Sequence, residues 1–258
     1  MQERVTNFIK YKDLFVELVR KDIKLKYKKS YLGVLWSFLN PLLMMIVLTV
    51  IFSEVFKHNI ENFPVYVLTG RLVYSFFSEA TSFAMNSIHD NGQLLKKVYV
   101  PKYFFPLSKV CSSFLTSLVS LLPILIVMVV TGMPLSFYNL LFFVPLIQIL
   151  FISAGVGLII STIAVFFNDL RHLYSVLLMV LMYMTPIFYP IEIIPVQYKW
   201  IMELNPMYPV LVLFRDLLMN NQMFEISDFI VASIYAVAYF LVGIFVFYKK
   251  QDKFIFYL

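Results

Sequence analysis

Cysteine is almost absent: Cys111 is the single one in 258 residues, so no disulfide can form within the chain. Glycine is scarce too. The seven glycines (33, 70, 92, 132, 155, 157, 243) include no pair at the spacing of a P-loop, and Gly155 and Gly157 have neither a preceding strand nor the third glycine of a dinucleotide loop, so no phosphate cradle is expected in this chain. The three histidines (His58, His89, His172) stand singly at expected loop ends, and no His-x-x-x-His, cysteine cluster or close carboxylate pair accompanies them. A metal centre or a membrane-embedded acid–base enzyme would need such groups gathered at one depth. Charge itself is thin, at 14% of residues.

What fills the chain instead is apolar surface. Hydrophobic residues make up 61% and aromatics 18%, more than a soluble domain of this length can hide, so the expected class is an all-α polytopic membrane protein. The net charge of +6 does not point to nucleic acid, because 17 of the 21 Lys and Arg fall in segments expected on one side of the membrane. That asymmetry is the positive-inside pattern. The first apolar run begins only near Gly33, behind a charged leader, so no cleavable signal peptide is expected.

The chain is organised around RKDIKLKYKKSYLGVLWSFLNP, which begins at Arg20. Six basic residues (Arg20, Lys21, Lys24, Lys26, Lys28, Lys29) oppose the single acid Asp22 and then give way to apolar sequence. This collar is expected to hold its end in the cytoplasm. Over residues 8–29 Tyr11, Leu14, Phe15, Leu18, Val19 and Leu25 fall on one helical face and Lys10, Asp13, Glu17, Arg20, Lys21, Lys24 and Lys28 on the other, predicting within 1–32 an amphipathic helix lying on the headgroups. Six spans are then expected over 33–56, 63–84, 107–131, 139–167, 173–189 and 229–248, each read against a hydrocarbon core of roughly 30 Å. Both termini fall inside, and 1–258 forms one membrane domain.

Particular features punctuate this map. Asn40-Pro41 predicts a kink in the first span. Arg71 and Glu79 lie in the second, where charge is costly; Arg71 either snorkels to the outer headgroups or faces a polar path. In the cytoplasmic loop 86–106, a short helix through Gln93 to Val98, opened by Asn91-Gly92, is expected to present Leu94 and Leu95 beside Lys96 and Lys97 as a docking surface. Ser153, Gly157 and Ser161 recur every fourth residue and predict close helix approach. Residues 190–227, divided by Pro190, Pro195, Pro206 and Pro209, read either as a hairpin dipping back from the outer surface or as an interfacial loop. Among the aromatics, Tyr31, Trp36 and Phe38 flank the first span and Tyr183, Phe188 and Tyr189 the outer end of the fifth. Interface anchoring accounts for most membrane aromatics; a minority can line a path and stack on sugar rings.

The leader running into KYKKSYLGVLWSFLNPL, the loop NGQLLKKVYVPKYFFP, the turn FFNDLRHL, and TPIFYP followed by LNPMYPV together resemble a permease subunit of bacterial polysaccharide ABC exporters, over nearly the whole chain. The resemblance implies a coupling helix at Gln93 to Val98 that docks into a separate ATPase, exit-side gate helices in the outer hairpin, and a homodimer with two ATPase subunits that bind ATP and Mg. No cofactor is implied for this chain. The cargo is implied to be a lipid-linked O-antigen, teichoic acid or capsule chain, its diphosphate end met by the basic collar at the bacterial cytoplasmic membrane. An apolar residue is expected after Gly70, so Arg71 departs from the pattern. A drug or lipid permease and a polyprenyl-phosphate transferase are the other function classes kept open.

Overall fold

The computed structural model describes residues 11–28, 30–56, 60–98 and 100–258, and every regular element among them is helical. The helices are α1 (Lys12–Tyr27), α2 (Leu35–Phe56), α3 (Phe63–Asp90), α4 (Gly92–Lys97), α5 (Phe104–Val119), α6 (Leu121–Val130), α7 (Phe143–Phe166), α8 (Leu170–Met184), α9 (Lys199–Glu203), α10 (Met207–Leu218) and α11 (Ile226–Lys250). Lys10, Lys29 and His58 lie outside the described residues.

Among those residues, four stretches are long and apolar enough to cross a membrane: Leu35–Phe52, Phe104–Val130, Phe137–Phe166 and Ile226–Phe256. The other two expected spans fall on α3 and α8, outside that set. α3 has 28 residues but carries Arg71 and Glu79. α8 is apolar but has 15 residues, about 22 Å of helix.

α7 is the centre of the fold, packed against α3 on one side and α11 on the other. Small residues permit both approaches. A Cβ on Gly155 would lie 2.2 Å from the carbonyl oxygen of Tyr239, and one on Gly243 would lie 2.4 Å from that of Gly155, so the backbones of α7 and α11 touch. Gly157 faces Ala84 of α3, and Ser153 and Ser161 are fully buried. The stripe of small residues is a helix-packing seam.

Two prolines shape the neighbouring helices. The stretch expected as one span over 107–131 divides at Ser120, since Pro123 has no N–H for the carbonyl four residues back and its ring crowds that turn. Pro41 lies inside α2 and likewise deprives the Ser37 carbonyl of its helical donor. The Ser120 hydroxyl donates to that carbonyl at 3.0 Å, so the break in one helix satisfies the defect in the other.

α1 departs from the sequence expectation. Its apolar stripe is covered mostly by protein: Leu18 and Val19 are buried, and Tyr11, Leu14 and Phe15 pack on a cluster that includes Ile88, Phe104, Phe105 and Phe247. Phe15 and Phe104 have ring centroids 5.4 Å apart, and Lys109 of α5 pairs with Asp22 at 2.8 Å. Val16 and Leu25 stay exposed. The helix therefore sits on α5, because the Phe104-Phe105 pair offers apolar area and Lys109 a counter-charge.

Residues after α8 fold back among the long helices. α10 packs against α3, α7 and α11, and Val210, Leu211, Leu213, Phe214 and Leu217 have no exposed surface. Asn139 Nδ2 donates to the Leu217 carbonyl at 2.8 Å, satisfying one of the last carbonyls of α10. At its other end Asn205 Oδ1 accepts from the Met207 N–H at 3.0 Å while Asn205 Nδ2 donates to Thr185 Oγ1 at 2.8 Å. TPIFYP and LNPMYPV are thus stitched together.

Candidate functional site

Three separate places gather the residues singled out from the sequence. The first is α4. Gln93, Leu94, Lys96, Lys97 and Val98 are exposed, whereas Leu95 is only 6% exposed and packs with Ile88, Val100 and Phe104. Of the two leucines expected on the docking surface, only Leu94 is there. Adjacent helical positions point about 100° apart, so a six-residue helix lying on protein cannot present both. Asn91 Nδ2 donates to the Ser87 carbonyl at 2.8 Å, and Gly92 faces Leu258, at the distance where a Cβ would make ordinary contact. Nearby, Lys102 donates to the Gln251 carbonyl at 2.7 Å, and partial burial pulls its pKa below the usual lysine range.

The second place is a polar cleft of about 190 Å³ between the end of α1 and helices α2, α3 and α5. Lys26 leaves the basic collar to pair with Glu79 at 2.6 Å and to reach Thr116 Oγ1 at 3.3 Å. The Tyr27 hydroxyl is hydrogen-bonded to that of Ser37. Arg71, Ser75, Ser113 and Trp36 line the same cleft. A second cleft of about 250 Å³ shares Lys26, Glu79, Ser113 and Thr116 and continues to Asp22 and Lys109. Arg71 and Glu79 therefore face one polar space without touching. The rest of the collar stays apart: Arg20, Lys21, Lys24 and Lys28 line an open groove, with Arg20 held by Glu17 at 2.8 Å. Tyr31 is fully exposed and Phe38 half-buried.

The third place lies beyond α8. Phe188 meets Tyr183 and Tyr189 edge-on at 6.3 and 6.1 Å and stacks with Phe52 of α2 at 6.1 Å. Tyr66 donates to the Tyr189 carbonyl at 2.8 Å. Phe52 is sixteen residues beyond Trp36 in α2, about 24 Å along the helix, so the two expected aromatic groups are separate within one chain. Beneath this cluster is a residue that sequence reasoning passed over. The Arg215 guanidinium lies 3.4 Å from the centre of the Tyr66 ring and donates to the carbonyls of Tyr66 and Ile187 at 3.1 and 3.3 Å. Its only outward signal was an arginine interrupting a short apolar run.

The sequence profile of the ABC-2 type transporter family matches residues 13–219. An O-antigen export system permease protein RfbA of Klebsiella pneumoniae is 36% identical over 212 residues, 81% of each chain. The Myxococcus xanthus RfbA is 29% identical over 253 residues, 97% of each, and the polysialic acid transport protein KpsM of Escherichia coli is 25% identical over 215 residues, 81% of this chain and 82% of that one. The chain is a multi-pass membrane protein and belongs to the ABC-2 type transporter family.

Proposed function

We propose that this chain is the permease of an ABC exporter that moves a lipid-linked polysaccharide of O-antigen type across the bacterial cytoplasmic membrane. The observation that carries this reading is the likeness to O-antigen export permeases along most of the chain. In this reading the chain crosses six times, pairs with a second copy and binds two copies of a separate ATPase, which hold the ATP and Mg. Exposed Gln93, Leu94, Lys96, Lys97 and Val98 form the docking surface. The collar residues Arg20, Lys21, Lys24, Lys28 and Lys29 meet the diphosphate headgroup, a role suited to their crowded positive charge. Tyr183, Phe188 and Tyr189 border the outer end of the path, and α9 and α10 act as its gate. A capsule polysaccharide is the second cargo reading, favoured by the likeness to KpsM.

The test is the ATPase rate of the purified permease with its partner subunit, with and without lipid-linked glycan. A partner-dependent rate that glycan alters is expected. No stable partner complex, together with chemical turnover of a polyprenyl phosphate by this chain alone, overturns the reading in favour of a transferase.

A further inference from the structure

The cleft between α1, α2, α3 and α5 holds polar groups that the other described residues leave incomplete. Arg71 lines it and, among the described residues, has neither a hydrogen-bond nor an ion-pair partner. Ser113 lines both clefts, is 3% exposed, and its hydroxyl oxygen is buried without a hydrogen-bond partner among the described residues. A guanidinium in a narrow cleft and a buried hydroxyl are both unfavourable until something completes their hydrogen bonds. At the other end Lys26 is already neutralised by Glu79, which leaves Arg71 as the one uncompensated cation lining the cleft among the described residues. Arg71 and Glu79 are separated by about 12 Å along α3, room for a headgroup rather than a bare ion. Hydroxyls of Ser75 and Ser117 line the wall and Trp36 offers an aromatic face.

We propose that this cleft binds a hydroxyl-rich phosphate ester, with Arg71 on the phosphate and Ser75, Ser113 and Ser117 on the hydroxyls. The chemistry follows from the cleft. Taking the source to be the phosphosugar end of the transported glycan rests on the exporter reading above.

Trp36 supplies the reporter. In a Trp200→Phe background in phosphatidylcholine nanodiscs, the full chain is titrated with a polyprenyl diphosphate bearing one hexose and, in parallel, with phosphatidylglycerol. A saturable change in Trp36 emission is expected, weakened at least about tenfold by Arg71→Met through loss of a charge-assisted contact. Saturation by the hexose lipid identifies the cargo end as occupant; saturation by phosphatidylglycerol alone identifies a resident lipid in the same site. Should Arg71→Met fail to elute as folded protein, Ser75→Val and Ser117→Val report the hydroxyl side and are each expected to weaken binding. Flat titrations with both probes, or equal affinity in the parent and every folded variant, overturn the proposal. Because binding is read without the ATPase, its failure leaves the glycan-altered ATPase rate as an independent result on the exporter reading.

Discussion

Leu94 and Leu95 are neighbours in sequence with opposite fates. Leu95 packs into the cluster that joins α1, α3, α5 and α11, and Leu94 faces outward from a six-residue helix. Leu95→Ala is expected to lower stability by about 2–5 kcal/mol, the range for a truncated core leucine. Leu94→Asp puts a charge on a surface already carrying Lys96 and Lys97 and is expected to leave thermal unfolding in detergent unchanged while reducing copurification of the ATPase. An intact complex with Leu94→Asp would contradict the docking surface. Gly70 follows a different logic: a Cβ there would lie 3.0 Å from both the Arg215 guanidinium and the Ile187 backbone, so the half-buried arginine occupies space that a glycine vacates.

Helix α7 draws its position from what it lacks. Where a Cβ on Gly155 would collide with the Tyr239 backbone, one on Gly157 would meet side-chain methyl groups alone, that of Ala84 at 2.9 Å and one of Val110 at 3.4 Å. Gly155→Ala is therefore expected to force α7 and α11 apart, with loss of monodisperse protein in size exclusion, and Gly157→Ala to cost less, about 1–3 kcal/mol of overpacking. Equal behaviour of the two variants would show that the crossing is not set by Gly155. The four-residue spacing of Ser153, Gly157 and Ser161 made one seam of α7 legible in sequence, because helical period alone places those residues on a common face. Gly155 and Gly243, by contrast, lie 88 positions apart, and no local pattern couples them. The same limit hid Arg215, whose partners are the Tyr66 ring and two main-chain carbonyls, and it hid the bond from Ser120 to the Ser37 carbonyl that Pro41 leaves without its helical donor. The amphipathic pattern of α1 was readable, yet periodicity says only that one face is apolar and not whether lipid or α5 covers it.

At the scale of the molecule the topology turns on α8. Clustering of Lys and Arg in the leader, the 86–106 loop and the C-terminal end predicts that these three regions share a side, and their cluster of Leu18, Leu95, Phe104 and Phe254 does bring parts of all three together. An even number of crossings between them is then required. α8 supplies about 22 Å of helix against roughly 30 Å of hydrocarbon, so in the six-span reading Thr185 to Pro190 complete the path while buried α10 fills the depth beside it. Single cysteines in a Cys111→Ser background test this directly. Gln93→Cys, Asp169→Cys and Asp252→Cys are expected to react with an impermeant maleimide only after the cells are opened, and Leu135→Cys and Val196→Cys to react in intact cells; all five positions are exposed. Val196 decides the question. Labelling there only after opening, with Leu135 still reactive from outside, would place the segment after α8 on the cytoplasmic side and remove the proposed fifth crossing, leaving the proposed outer gate without a membrane face to stand on.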